Sequence, residues 1–185
     1  MDGDRKSRPL VVDLDGTLIK TDLFIKSMFL YAKKRAFNLF RLVYWAGMGK
    51  AAIKEKISYK VTIDVRSLPY NEELLSFLET QKKTKRQIVL ATASHYHYAS
   101  QIADHLGLFD VVLATKDEIN LSHMNKRDKL VELYGEKGFD YIGNSHDDIA
   151  VWQKADKAYL VNPDYGVQKR AERIGNVEKI FITPK

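Results

Sequence analysis

No cysteine occurs among the 185 residues. Disulfides and thiolate-held metals are therefore excluded. That fits a reducing cytoplasm without requiring one. No apolar run approaches the roughly 20 residues that a spanning helix needs. The opening Met1-Asp2-Gly3-Asp4-Arg5-Lys6 has no apolar core behind its charges, so it is not expected to serve as a signal peptide. Internal repeats and low-complexity stretches are also missing. Acids are nearly absent from one segment. Between Phe24 and Ile63 stand nine Lys or Arg against a single acid, Glu55, a net +8 where the whole chain carries +6. Such a segment calls for an anionic partner: a phosphorylated substrate, an anionic membrane surface or nucleic acid.

The residues that are present include 45% hydrophobic ones, enough for a real core. The length suits one domain with a modest insertion. Leu10-Val11-Val12-Asp13-Leu14-Asp15-Gly16-Thr17-Leu18 is the informative stretch. Three apolar residues run into two carboxylates spaced i, i+2, then Gly-Thr. The apolar run reads as a buried strand of a parallel sheet, broken at Gly16. Ligand sites in open α/β sheets gather at the carboxyl ends of strands. Two acids there offer hard oxygen ligands for Mg²⁺ and an oxygen nucleophile. The plain alternative is an Asx-type turn at Asp15-Gly16.

The remainder alternates in type. Leu23 to Trp45 lacks Gly and Pro and reads as one long helix, or two with a bend near Arg35-Ala36, ended by Gly47-Met48-Gly49. A second helix is expected over Lys50 to Val61. From Tyr70 an α/β rhythm begins. Asn71-Glu72-Glu73 opens a helix with an N-cap residue and acids in its first turn. Strands are expected at Ile88 to Thr92, Asp110 to Leu113, Phe139 to Gly143, Ala158 to Val161 and Lys179 to Ile182. Helices are expected at Tyr96 to Leu106, Lys126 to Tyr134, Asp147 to Lys154 and Asp164 to Arg173. This predicts an α/β fold, a parallel sheet covered on both faces. His95-Tyr96-His97 is a poor zinc pair, because i, i+2 side chains at a helix start diverge; His95 is instead a candidate for the substrate pocket. Lys82 to Arg86 lacks interleaved aromatics and reads as a solvated connector, not a nucleic-acid site.

The first stretch resembles the opening motif of the haloacid dehalogenase superfamily, most of whose members are Mg²⁺-dependent phosphatases. The resemblance implies a Rossmann-like core over residues 1–18 and 70–185, with a helical cap at 19–69. It implies that Asp13 attacks phosphorus and Asp15 serves as general acid and base. Thr92, at the end of the second strand, matches the family's second motif. Lys126, near a helix start, looks like the third-motif lysine, with Lys116 and Lys129 as rivals. Gly143-Asn144-Ser145-His146-Asp147-Asp148 matches the fourth motif at Gly143 and Asp148. Asn144 replaces the usual acid there, and Asp147 is the neighbouring source of charge. Phosphate binding is thereby implied for Gly16, Thr17, Thr92, Ala93 and Lys126, and Mg²⁺ binding for Asp13, Asp15, Asn144, Asp147 and Asp148. Gly49 to Lys54, Ser67 to Leu75, Leu90 to Ser94, His105 to Asp110 and Phe139 to Gly143 followed by Trp152 are similar to the haloacid dehalogenase-type domain fused ahead of UbiA-like prenyltransferases. A phosphorylated small molecule or lipid phosphate is the substrate so implied. The setting expected is cytoplasmic, at the inner membrane surface if the basic insert contacts anionic lipid, without nucleic acid. The competing reading is a non-catalytic regulatory or binding module tied to membrane prenyl metabolism.

Overall fold

The computed structural model describes residues 8–34, 37–47, 50–116 and 120–183. Its centre is a six-stranded sheet of order β3-β2-β1-β4-β5-β6, parallel throughout. The strands are β1 (Leu10–Val12), β2 (Ile88–His95), β3 (Val111–Thr115), β4 (Asp140–Gly143), β5 (Ala158–Val161) and β6 (Val177–Phe181). The chain builds outward from β1 in one direction, then returns to β4 and builds in the other. β1 and β4 therefore flank the switch point, where the ends of parallel strands leave a crevice.

Alternation along the strands divides the core in two. Leu10 and Val12 face one layer with Ile88, Leu90 and Ile142. Val11 faces the other with Val89, Ala91, Tyr141 and Leu160. Side chains of successive strand residues point to opposite faces, so a strand buried on both faces reads as an unbroken apolar run. The first layer is covered by α4 (Glu72–Lys83) and α5 (Tyr96–Leu106), through Leu74, Leu78, Tyr98 and Ile102. The second is covered by α6 (His123–Tyr134), α7 (Ile149–Trp152) and α8 (Val167–Ile174), through Leu130, Trp152, Val167 and Ala171.

Three helices stand between β1 and α4: α1 (Leu23–Lys34), α2 (Phe37–Ala46) and α3 (Lys50–Ser58). The long apolar-basic segment is thus two helices. The expected bend at Arg35-Ala36, the Met48-Gly49 part of the helix end and the opening Met1 to Lys6 lie outside the described residues. Tyr31 stacks on Trp45 with centroids 5.4 Å apart. Tyr31, Trp45, Ile53 and Ile57 join the same apolar cluster as Leu10 and Val12. The insert therefore shares its core with one face of the sheet. Asn71 caps α4 as expected, its side chain accepting from the Leu74 N–H at 3.2 Å.

Several element boundaries differ from the sequence reading, each for a local reason. α6 starts at His123, three residues before Lys126, so Lys126 sits in its first turn. β2 runs on to His95 through a register shift after Thr92, because Ala93 and Ser94 still follow the strand. Lys82 and Lys83 close α4, where cations suit the negative end of the helix dipole. At the opposite end of the sheet from the site, Arg86 pairs with buried Asp140, and Asp140 also accepts from the Lys157 N–H at 3.0 Å.

Trp152 has no exposed surface, lies edge-on to Tyr141 and donates its indole N–H to the Tyr141 carbonyl at 3.3 Å. Trp152→Ala is expected to cost about 3–5 kcal/mol. Urea and thermal unfolding would show it as a melting point lower by roughly 6 °C or more.

Candidate active site

β1 ends at Val12, and the Asp13 N–H donates to the Ile142 carbonyl at 3.0 Å. That bond fixes the first acid between β1 and β4. The chain then turns sharply: Thr17 N–H and Ile19 N–H both return to the Leu14 carbonyl. Gly16 has φ +76°, and a Cβ there would fall 2.6 Å from Asn144 Nδ2. Only glycine takes that backbone conformation without strain and lets Asn144 lie against the loop.

Asp13 is nearly buried, and its Oδ1 accepts from Lys126 Nζ at 2.7 Å. The same ammonium donates to the Tyr141 hydroxyl at 2.9 Å, which donates to Asp148 Oδ1 at 2.6 Å. Asp148 Oδ2 accepts from the Asn144 N–H and the Ser145 N–H, both at 3.0 Å, and from Ser145 Oγ at 3.1 Å. Both oxygens of Asp148 are thus committed, and it acts as the brace behind the fourth-motif loop. Gly143 makes room for it: a Cβ there would lie 2.6 Å from Asp148 Cγ. Lys116 lies over the Tyr96 ring and Lys129 pairs with Glu132. Of the three lysines, Lys126 is the one brought to Asp13.

Asp15 points a different way. Its Oδ1 accepts from the Leu23 N–H at 2.8 Å, at the start of α1. Its Oδ2 accepts from Ser94 Oγ at 2.7 Å and from Thr92 Oγ1 at 3.3 Å. Thr92 has no exposed surface, and its hydroxyl also accepts from the Ser94 N–H at 2.9 Å. Ala93 and Ser94, rather than Thr92, reach the wall of the cavity.

That cavity measures about 480 Å³ and is bordered by Asp13, Asp15, Lys20, Lys54, Lys126 and Asn144, among others. Lys54 comes from α3 and donates to the Ala93 carbonyl at 2.7 Å, so the insert closes one side of the site. Asp147 does not join the buried acids. It pairs with His123 at 2.7 Å, both being more than half exposed. His95 is buried and caps α5 by accepting from the His97 N–H at 3.2 Å, not as part of the cavity wall.

Burial shifts both acids the same way, against different partners. Burial pushes Asp13 up to about 7, against the pull of Lys126. Burial also raises Asp15, opposed by the Leu23 N–H and the Ser94 hydroxyl. Burial disfavours the Lys126 ammonium, but Asp13 and Asp148 outweigh it and hold the ammonium above its usual range. Burial, then Asp148, drives Tyr141 well above a normal phenol, so it stays a neutral donor. The arrangement offers one carboxylate oxygen, Asp13 Oδ2, to the cavity and a second carboxyl disposed to carry a proton.

The metal-ligand question turns on Thr17. Its single hydroxyl proton lies within reach of two oxygens, Asp13 Oδ2 at 3.4 Å and Asn144 Oδ1 at 3.1 Å. It satisfies one of them at a time, so the other keeps its lone pairs free of that proton. Among the described residues no three His, Cys, Asp or Glu side chains group as metal ligands. The set here is mixed, a carboxylate and an amide oxygen. Hard oxygens of that kind fit Mg²⁺, which keeps several waters and needs few protein ligands.

Sequence reasoning passed over Ser94 and Tyr141. Ser94 carried a signal, standing two residues past Thr92 and so on the same strand face. Tyr141 carried none, since an aromatic in a buried strand reads as core.

A family model for haloacid dehalogenase-like hydrolases matches residues 10–152. A *Sinorhizobium fredii* protein, y4nM, is 32% identical over 98% of this chain. The chain spans 35% of that relative's length. Among solved structures, a *Bordetella pertussis* protein of unknown function superposes with a TM-score of 0.71 at 14% identity, covering 94% of this chain and 98% of that one. Phosphoserine phosphatase in its apo form does so with a TM-score of 0.64 at 12% identity, covering 95% and 94%. A phospho-aspartyl intermediate analogue of phosphoserine phosphatase gives 0.61 at 13% identity, covering 96% and 94%. At these identities the structural likeness is one of fold.

Asp148→Ala strips acceptors from two backbone N–H groups, the Tyr141 hydroxyl and the Ser145 hydroxyl. It is expected to destabilise by about 3–5 kcal/mol. An unfolding free energy from urea titration within about 1 kcal/mol of the parent would show that other contacts hold the loop.

Proposed function

Because the chain belongs to the haloacid dehalogenase-like hydrolases, we propose that it is a phosphatase working through an aspartyl-phosphate on Asp13. The observation that carries this reading is the division of the Asp13 carboxylate. Lys126 holds Oδ1 at 2.7 Å, while Oδ2, on a residue lining the cavity, has among the described residues a single hydrogen-bond contact, to Thr17 at 3.4 Å. The solved phospho-aspartyl analogue of phosphoserine phosphatase has the same fold.

In the first step Asp13 Oδ2 attacks phosphorus and the bond to the leaving oxygen breaks. Asp15, its carboxyl raised by burial, gives its proton to that oxygen. In the second step Asp15 takes a proton from water, the water oxygen attacks phosphorus and the bond to Asp13 breaks. Lys126 and the Ala93-Ser94 strand end bind the phosphoryl oxygens and offset their charge. Thr92 positions Ser94 and Asp15 from behind. The Asp13 and Asn144 oxygens, with the Asp15 backbone carbonyl, would hold Mg²⁺. Bound there, it would offset the repulsion between carboxylate and phosphate. Asp147 and Asp148 also line the cavity and add charge to it, Asp148 with both oxygens already engaged.

Residues 19–69 act as the cap in this reading, with Lys54 closing the cavity and helping exclude water. Lys20 and Lys54 favour an anionic substrate, a phosphorylated small molecule or a lipid-linked phosphate. The UbiA-type prenyltransferase setting expected from the sequence would favour the latter. A cytoplasmic setting suits Mg²⁺-dependent chemistry. One observation favours a second reading. Asn144 in place of an acid removes a charge from the metal site, as in a binding module that has lost turnover. Phosphate release from an aryl phosphate, with and without Mg²⁺, separates the two.

Asp13→Asn is expected to abolish that release, an amide being a much weaker nucleophile. Retention of more than about a tenth of parental turnover would remove Asp13 from its role. In the first turnover, read as the burst of leaving group released before the shared intermediate is hydrolysed, Asp15→Asn should slow alkyl phosphates by about 10²-fold or more and aryl phosphates far less. Equal slowing of both would count against Asp15 as the acid.

Asn144→Asp restores a carboxylate beside Asp13 and is expected to lower the Mg²⁺ concentration giving half-maximal rate. An unchanged Mg²⁺ requirement would mean that the charge at this position does not govern the metal. An inactive parent that gains activity through this change would favour the binding-module reading.

A further inference from the structure

The insert exposes apolar side chains that its catalytic reading leaves unused. Ile25 and Phe29 on α1, with Phe37, Phe40, Val43 and Tyr44 on α2, are 60–73% exposed. On α2 the inward side is already occupied: Trp45 is buried and stacks on Tyr31. The outward residues Phe37, Phe40 and Tyr44 recur at i, i+3 and i+7, one helical face. They are not needed to hold the helix down. An exposed apolar patch of this kind marks an interaction site.

Charge limits what can cover it. α1 and α2 contain no acid. Arg41 is exposed on the same face, its guanidinium 5.6 Å from the Phe37 ring. Lys33 is exposed at the end of α1. A second copy would set net +8 against net +8, which repels. Duplex nucleic acid supplies negative charge but no apolar layer for Ile25, Phe29 and Val43. A surface with phosphates outside and hydrocarbon beneath supplies both. Among the described residues no helix is long and apolar enough to cross a membrane, so such contact lies in the plane of the surface.

We propose that the α1–α2 face docks on an anionic lipid bilayer. Phe37, Phe40, Val43 and Tyr44 enter the boundary between headgroups and acyl chains. Arg41 and Lys33 meet lipid phosphates, their stems lying along the apolar residues. Docking needs no turnover, so it stands or falls apart from the phosphatase reading.

The test is sedimentation of the full chain with phosphatidylglycerol or phosphatidylcholine vesicles. Two double variants are compared, Phe40→Ser with Tyr44→Ser and Lys33→Glu with Arg41→Glu. All four positions are exposed, and circular dichroism with thermal melting confirms that each variant folds. At about 50 mM salt the parent should partition at least about tenfold more to phosphatidylglycerol. It should be released at about 500 mM salt, and each variant should lose about tenfold. Absence of binding to phosphatidylglycerol at low salt overturns the proposal. So does equal binding to phosphatidylcholine, or variants that bind like the parent. Self-association abolished by the serine pair would assign the face to a second copy. Single-stranded oligonucleotide bound through these residues, without vesicle binding, would assign it to nucleic acid. Either result also overturns the proposal.

Discussion

The contact between Lys126 and Asp13 is the constraint on which the site depends. Two groups that would each be unfavourable alone in a dry interior are held 2.7 Å apart. The cost of burying them is offset only while the geometry is kept. Keeping it takes parts from four places: the end of β1 for Asp13, the first turn of α6 for Lys126, and β4 with the turn beyond it for Tyr141 and Asp148. The parallel sheet brings these together because β1 and β4 are neighbours at the switch point. The second apolar layer, with Trp152 beneath Tyr141, fixes the phenol that joins lysine to brace.

The two carboxyls at i and i+2 are set apart by their surroundings. Asp13 faces an ammonium and the cavity. Asp15 faces hydroxyls and a helix start. One backbone turn, closed at Gly16, rotates the second carboxyl away from Lys126 and toward β2. A single short loop thereby supplies two chemically distinct acids, which is what an attack-and-protonate sequence requires.

Much of this was legible in the sequence, for identifiable reasons. Buried parallel strands are continuous apolar runs, so β1, β2, β4 and β5 stood out. Asn71 declared its helix through capping chemistry. Asp13 and Lys126 were legible through the resemblance to the family's motifs, with Lys116 and Lys129 standing as rivals until the fold placed Lys126 against Asp13. What was not legible depends on orientation. Nothing in the order of residues says that Asp147 pairs with His123 at the exposed rim of the cavity while Asp148 is buried behind it. Thr92 and Ser94 share a strand face, and only the local register shift decides which of them reaches the cavity. Tyr141 is indistinguishable from a core aromatic until its hydroxyl is seen between Lys126 and Asp148.

The bond from the Leu23 N–H to Asp15 joins two parts usually thought of separately. It is the first anchor of α1 and at the same time a donor that steadies the ionised form of Asp15. A displacement of α1 that lengthens this bond makes the Asp15 proton harder to lose, and a displacement that restores it makes the proton easier to give up. The insert is in this sense a mechanical lever on acidity. The first turn of the insert and the acidity of Asp15 thus share one hydrogen bond.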